Sequence, residues 1–191
     1  MILDFNAIDE TKIYKLMSYS IFPRPIAWIL TDDDGIVNIA PFSYFAPLSS
    51  KPPIVVVSIG LKEDGSPKDT RANILKQKRA TICLAEKDML SSLTMSSEEL
   101  SHDESEAQKF NIGTTIVKEG YPPIVDGIKA AYFCDFYKTC EIEGSETLPI
   151  MLEIKSAYFA DERIDERLNV KLENIGRVGR DFLTDALRIK S

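Results

Sequence analysis

The chain has 191 residues, of which 44% are hydrophobic and 28% are charged, a composition typical of one soluble globular domain and unlike that of disordered, collagenous or membrane-spanning chains. Its formal net charge is −7, and because sequence-independent binding to nucleic acid requires clustered lysine and arginine, we expect no nucleic-acid partner. No stretch approaches the ~20 apolar residues of a membrane span and the first residues lack a secretory signal, so we expect a cytoplasmic protein without a membrane contact.

The first predicted elements are a short helix and a hairpin. The helix covers Asp9 to Met17, and Asp9 or Thr11 is available as its N-cap. Two strand-like runs, Pro25–Thr31 and Ile36–Ala40, flank a turn with the sequence Asp-Asp-Asp-Gly. Apolar runs on both sides of such a turn are typical of a β-hairpin.

A third strand and a second helix follow. The run Ile54–Ile59 is rich in β-branched residues and is expected inside a sheet. Residues Arg71–Gln77 have helical composition, and Asp69 or Thr70 is predicted to cap the first turn. A helix N-terminus is thereby placed beside Lys68.

The second half of the chain is predicted to supply the remaining strands. These are Ala80–Ala85, Ala130–Glu143 and Leu148–Phe159, the last two forming a long hairpin across Gly144. Residues 89–110 have helical and loop character, and the tail Asn174–Ser191 ends in a helical pattern. About six strands with inserted helices, without a regular βαβ rhythm, favour one domain over residues 1–191 built as an antiparallel barrel.

The cysteines and the single histidine suggest no metal centre. Cys83, Cys134 and Cys140 are odd in number, share no metal-ligand spacing and lie in apolar runs, so we expect buried free thiols. His102 stands beside Asp103 and Glu104, a pattern more typical of a solvated face than of a metal site.

Two segments carry the chemistry. In Asn38–Phe45, small and polar residues around a proline leave main-chain groups free to meet a flat polar heterocycle, although an ordinary loop with buried aromatic residues has the same pattern. In Lys68–Thr70 with Asn73, a lysine, a hydroxyl and the amides of a helix start suit a phosphate monoester, although a capped surface helix has the same pattern.

Taken in order, these motifs resemble a known family. The resemblance is carried by Arg24-Pro25-Ile26-Ala27-Trp28-Ile29, Thr31, Asp34-Gly35, Asn38-Ile39-Ala40-Pro41-Phe42-Ser43-Tyr44-Phe45, Pro52-Pro53, Val57-Ser58-Ile59-Gly60, Lys68-Asp69-Thr70 and Asn73-Ile74. It continues more loosely through residues 104–110, 131–134 and 176–179. The string closely resembles the flavin reductase-like, FMN-binding split-barrel family, and in particular its flavoredoxin-like branch.

The resemblance implies a mainly β fold with inserted helices, a six-stranded antiparallel split β-barrel with Greek-key connections. It implies a homodimer that binds FMN non-covalently at or near the subunit interface. The residues placed along the isoalloxazine and ribityl chain are Thr31, Asn38, Ala40, Pro41 and Ser43. Those placed at the ribityl end and phosphate are Ser58, Lys68, Thr70 and Asn73, and Arg177 is expected to reach the flavin of either subunit.

The implied activity is that of a flavin reductase or flavoredoxin-like oxidoreductase, with NAD(P)H or another donor and with a monooxygenase or another electron-transfer partner. Because flavin chemistry belongs to the cofactor, no catalytic side chain is named. Family members often carry a histidine on a late strand, where this chain has Ala157–Asp161. Because of that departure, a non-enzymatic FMN-binding store or sensor is the alternative function. A pyridoxamine oxidase-type split barrel is less favoured, because the motifs match the other branch.

Overall fold

The computed structural model describes residues 1–184, so the helical pattern predicted at the end of the tail lies outside the described residues. The helices are α1 (Glu10–Ser20), α2 (Asp69–Gln77), α3 (Leu90–Met95) and α4 (Glu106–Lys109). The strands are β1 (Arg24–Pro25), β2 (Ala27–Asp33), β3 (Ile36–Phe42), β4 (Phe45–Ser50), β5 (Pro53–Ile59), β6 (Arg79–Cys83), β7 (Thr114–Thr115), β8 (Ile124–Val125), β9 (Ala130–Thr139), β10 (Leu148–Phe159), β11 (Gly176–Val178) and β12 (Asp181–Leu183).

One seven-stranded antiparallel sheet dominates the fold. Its strand order is β3-β2-β6-β9-β10-β5-β4, so β3 and β4 are its two edges. The expectation of a mainly β fold with inserted helices is confirmed, but the expected six-stranded barrel is corrected to a seven-stranded sheet whose hydrogen bonding does not close. A small sheet, in the order β1-β11-β12, joins the chain before the first hairpin to the C-terminal region.

The additional strand is β4, and it explains the correction. It pairs with β5 and carries Pro47, with an irregular register between Pro47 and Ser49. Proline removes a ladder donor and is tolerated on an edge strand, which is where β4 lies. Only two residues separate β3 from β4 in the chain, so these opposite edges are at most about 11 Å apart where they connect. The sheet therefore curls until its edges approach at this corner.

The predicted hairpins agree with the structure. Strands β2 and β3 pair across a turn in which Asp34 and Gly35 both have positive φ angles. Strand β10 has the predicted bounds, and its partner β9 ends at Thr139 rather than Glu143. Helix α1 is capped as expected, since the Asp9 carboxylate accepts the Lys12 N–H at 3.1 Å.

The predicted cap of α2 is wrong. Lys68 occupies the N-cap position and its side chain makes no capping hydrogen bond, because an ammonium group has no acceptor atom. Asp69 is already the first helical residue. The N-terminus of α2 is therefore not closed by its own N-cap side chain.

Both faces of the central sheet are buried. Along β2, Trp28 and Leu30 pack in one apolar cluster and Ile29 packs in the other, as the alternation of side chains along a strand requires. Because both faces are covered, β2 has apolar residues at consecutive positions in the sequence. Of the described residues, no helix is long and apolar enough to cross a membrane.

The expectation of three buried thiols holds for two of them. Cys83 and Cys134 are buried on the sheet, and Cys140 is exposed. Burial raises the pKa of Cys83 to about 12, so this thiol stays protonated and unreactive at neutral pH. Cys140 follows the end of β9 in the loop to β10, where the chain leaves the core.

Candidate functional site

The end of β3 and the start of α2 line one cavity. This lysine cavity, of about 90 Å³, is bordered by Asn38, Ala40 and Pro41 from β3 and by Lys68 and Thr70 from α2 and its N-cap. The two segments singled out in the sequence therefore meet, although they are far apart in the chain. Their convergence depends on β2, since β3 pairs with β2 and α2 packs against it.

A second cavity adjoins the first. This arginine cavity, of about 240 Å³, shares Pro41 and Ser97 with the lysine cavity and is also lined by Ser43, Arg177 and Tyr14. Its arginine comes from β11 in the small sheet. Elements from both ends of the chain are thus needed to form it.

A third cavity continues past Ser43. This apolar cavity, of about 410 Å³, is lined by Ser43, Ser58 and Tyr44 together with apolar side chains from α1 and β4. Ser58 was predicted to stand with Lys68 and Thr70, but it lines this cavity and not the lysine cavity. The three cavities form a series along the corner where the sheet edges meet.

Four of the predicted site residues form a buried polar network. The Asn38 amide donates to Thr70 Oγ1 at 2.8 Å and to Thr31 Oγ1 at 3.4 Å, and the Asn73 amide donates to Thr31 Oγ1 at 3.1 Å. Within residues 1–184, Asn73 Oδ1 has no hydrogen-bond partner. Thr31 and Asn73 lie behind the lysine cavity and join β2 to α2, whereas Asn38 and Thr70 also border it.

A strap, which we define as residues 96–105, lies across the start of α2. The carboxylate of Glu99 pairs with Lys68 at 3.1 Å. The ammonium of Lys62 pairs with Asp69 at 2.8 Å and donates to the carbonyl of Leu100 at 3.2 Å. The strap thus borders the lysine cavity with its own charges.

His102 connects the strap to two carboxylates, and no pattern in the sequence predicts either pairing. Its Nδ1 is 2.8 Å from Asp69 Oδ1, and its Nε2 is 3.4 Å from Asp33 Oδ2. Hydrogen bonding by Lys76, and then by Gln77, lowers the pKa of Asp33. Only the folded chain brings these groups together. Among the described residues, no cluster of histidine, cysteine or acidic side chains is arranged to hold a metal ion.

Glu106 is a second residue that sequence reasoning did not single out. It begins α4, is 4% exposed and borders the lysine cavity. Its Oε2 accepts the Ile39 backbone N–H at 2.9 Å. Burial raises the pKa of this carboxyl. The solvated face expected of His102, Asp103 and Glu104 ends before Glu106, which lies inside the fold.

Two arginines lie opposite each other where β1 pairs with β11. Arg24 and Arg177 are register partners. Arg24 is buried and donates to the carbonyls of Ser18, Ile21 and Gly179, so its charge is held at the C-terminal end of α1. Arg177 stacks over the Phe182 ring at 4.2 Å, and among the described residues it has no carboxylate within ion-pair distance. Arg177 is the cation available to the arginine cavity.

The groups along these cavities can hold an anion beside a polar ring system. A lysine, a threonine hydroxyl and the start of a nine-residue helix suit a phosphate. A backbone with a proline and small residues next to a half-buried arginine suits a polar ring system. The chain thus offers anion-binding and ring-binding groups on adjoining surfaces.

Comparisons with known proteins identify a family and a fold. The model of the family described as "Flavin reductase like domain" matches residues 17–175. An uncharacterised protein of Aquifex aeolicus is 30% identical over 182 residues, which cover 93% of this chain and 92% of that protein.

Solved structures share the fold along nearly the whole chain. Nitrilotriacetate monooxygenase component B from Bacillus cereus has a TM-score of 0.93 and 21% identity, and the match covers 100% of this chain and 98% of that one. A split-barrel protein from Shewanella frigidimarina has a TM-score of 0.85 and 18% identity, with 97% and 94% covered. An FMN-binding protein from Thermus thermophilus has a TM-score of 0.77 and 17% identity, with 91% and 92% covered.

Proposed function

Because this chain belongs to the flavin reductase-like family, we propose that it is an FMN-binding oxidoreductase that moves electrons between NAD(P)H or another donor and FMN. It acts either as a flavin reductase or as a flavoredoxin-like carrier. The observation that carries the proposal is the convergence of β3 and the α2 N-terminus on the lysine cavity, with the arginine cavity beside it. The FMN-binding relative from Thermus thermophilus, which has the same fold, supports the choice of cofactor.

In this proposal the phosphate lies at the lysine cavity. Lys68 supplies a positive charge, Thr70 and Asn38 supply polar groups, and the first turn of α2 supplies backbone amides. Thr31 and Asn73 act indirectly, because they hold Asn38, Thr70 and the helix in place. Losing either would disturb the geometry of the phosphate site without removing a direct contact.

The ring lies along Ala40, Pro41 and Ser43 towards Arg177, and Ser58 contacts the cofactor only where it extends past Ser43. When bound, the flavin supplies the electron-transfer chemistry, so the chain has to bind, orient and shield it. The buried Arg24 fixes the corner by donating to Ser43 Oγ at 3.4 Å as well as to the α1 carbonyls. No acid or base of this chain is required.

We extend the proposal to a cytoplasmic homodimer. Exposed apolar side chains of α1 and the residues after it adjoin the apolar cavity, and an exposed apolar surface of this kind is typical of an interface. A monooxygenase is the proposed electron acceptor partner, because the Bacillus cereus neighbour is a monooxygenase component.

A titration tests cofactor binding. Purified protein is expected to quench FMN fluorescence with a stoichiometry of one FMN per chain and to show a perturbed visible flavin spectrum. Protein that neither carries nor takes up FMN would overturn the proposal. The ligand released by heat is identified by mass, which separates FMN from a pyridoxal-type cofactor.

A second measurement separates the enzyme from a non-enzymatic FMN store or sensor. That alternative is favoured by the end of β10 and the residues after it, Ala157–Asp161, which contain no histidine. Stopped-flow mixing of FMN-loaded protein with NADH and with NADPH is expected to bleach the flavin rapidly with at least one donor. Absence of bleaching with both, while dithionite still reduces the flavin, supports the carrier or sensor.

A further inference from the structure

The phosphate site already holds an anion that belongs to the chain. Glu99 Oε2 lies 3.1 Å from the Lys68 ammonium, and Glu99 Oε1 accepts the Glu63 backbone N–H at 3.4 Å. The Lys68 and Glu99 side chains are 37% and 36% exposed, and both border the lysine cavity. The Glu99 carboxylate therefore pairs with the ammonium group that, in the proposed function, binds the phosphate.

The other charges of the cavity are arranged differently. Asp69 is held by Lys62 at 2.8 Å and by His102 at 2.8 Å, with its side chain 15% exposed. Glu106 is buried, and its carboxylate accepts the Ile39 backbone N–H. These carboxylates have fixed partners other than Lys68, so Glu99 is the carboxylate that competes for Lys68.

Glu98 provides a natural comparison. It is the neighbour of Glu99, and it also borders the lysine cavity. Its carboxylate pairs with Lys109 at 2.9 Å, away from Lys68. The two glutamates therefore carry the same charge and border the same cavity, but only Glu99 forms an ion pair with Lys68.

We propose that Glu99 is a specificity-determining residue whose carboxylate must leave Lys68 before the phosphate of FMN binds, an inference that rests on the proposed function. A phosphate monoester carries about −1.5 to −2 charge near neutral pH, and like charges at hydrogen-bond distance from one ammonium repel each other. Glu99 therefore weakens the binding of FMN without affecting the binding of a flavin that lacks the phosphate. It reduces the ratio of FMN affinity to riboflavin affinity and so favours the release of bound FMN.

The test compares FMN and riboflavin affinities, measured by fluorescence quenching, in the wild type and in Glu99→Gln and Glu98→Gln. Breaking a half-exposed ion pair is worth up to about 1 kcal/mol, so Glu99→Gln is expected to tighten FMN by roughly three- to fivefold. Riboflavin affinity is expected to stay within about twofold, and Glu98→Gln is expected to change neither ligand by more than that. Equal tightening of both flavins, equal effects of the two substitutions, or no effect of Glu99→Gln would overturn the inference.

A double-mutant cycle with Lys68→Ala links the effect to the lysine. Lys68→Ala is expected to weaken FMN by about tenfold or more and to spare riboflavin, because a charge-assisted contact is lost. In that background the gain from Glu99→Gln should shrink, since no ammonium remains for which to compete. An undiminished gain would show that Glu99 acts by general repulsion and would overturn the competition. Failure of the wild type to bind either flavin would instead contradict the proposed function.

Discussion

At the scale of single residues, buried polar groups do most to shape the site. Asn38 and Asn73 bring two strands and a helix together through the hydroxyl of Thr31, and a buried amide is tolerated because it is hydrogen-bonded. The resemblance indicated these positions, but it assigned Asn38 to the ring and ribityl chain and Thr70 to the phosphate end, whereas both border the lysine cavity. It gave no means of separating residues that border the cavity from those that support it, because that depends on which side of β2 and α2 each group faces.

Glu106 gives a pH-dependent prediction. Burial raises its pKa above the ordinary 4.5, so the folded protein binds this proton more tightly than the unfolded chain. Relative to Glu106→Gln, the wild type should be most stable below that ordinary value and should lose stability as the pH rises through the folded pKa. Urea unfolding of both proteins over a pH series measures the difference.

Glu104→Gln is the matched control, with the opposite sign. Hydrogen bonds from the Ser101 side chain, and then from its backbone, lower the pKa of Glu104. Relative to this variant, the wild type should lose stability as the pH falls through the lowered pKa. Parallel pH profiles for the two variants would contradict the burial assigned to Glu106.

At the scale of elements, a buried hydrogen bond ties the start of the strap to the sheet. The indole N–H of Trp28 donates to Ser96 Oγ at 2.8 Å, and both residues are fully or almost fully buried. Ser96→Ala leaves that N–H without its acceptor, and we expect a loss of about 1–3 kcal/mol in the free energy of unfolding. Urea unfolding followed through Trp28, the only tryptophan, measures it.

Ser97→Ala is the control for this substitution. The Ser97 hydroxyl is exposed and donates to the Thr94 carbonyl at 2.7 Å, so its removal should change the free energy of unfolding by less than about 0.5 kcal/mol. Similar losses for the two variants would mean that the indole hydrogen bond does not anchor the strap.

The elements also show where sequence reasoning succeeds. The β2–β3 hairpin and β10 were predictable because apolar runs and a turn are local signals. Strand β4 was not, since Pro47 and the serines after it resemble a loop and become a strand only through pairing with β5. The contacts of His102 and Glu99 with α2 were equally hidden, because charge pairs between distant segments leave no periodic pattern.

At the scale of the whole molecule, the unexplained feature is an apolar surface around α1. The exposed side chains there include Tyr14, Met17, Tyr19, Ile21 and Phe22. Met17 and Ile21 also line the apolar cavity, which shares Ser43 with the arginine cavity. A protein with a net charge of −7 has ample charged surface elsewhere, so this concentration of apolar groups beside the site favours contact with a second copy.

Ile21→Glu tests the homodimer. Ile21 is 59% exposed, so the charge should be tolerated in an isolated chain but would be desolvated in an interface, at a cost that removes the dimer. We expect sedimentation velocity at micromolar concentration to show a dimer for the wild type and a monomer for Ile21→Glu. Ile142→Glu, at a site 54% exposed between β9 and β10, should remain dimeric. A monomeric wild type, or the same behaviour in both variants, would place the interface elsewhere or remove it, and the apolar cavity would then border solvent in the working protein.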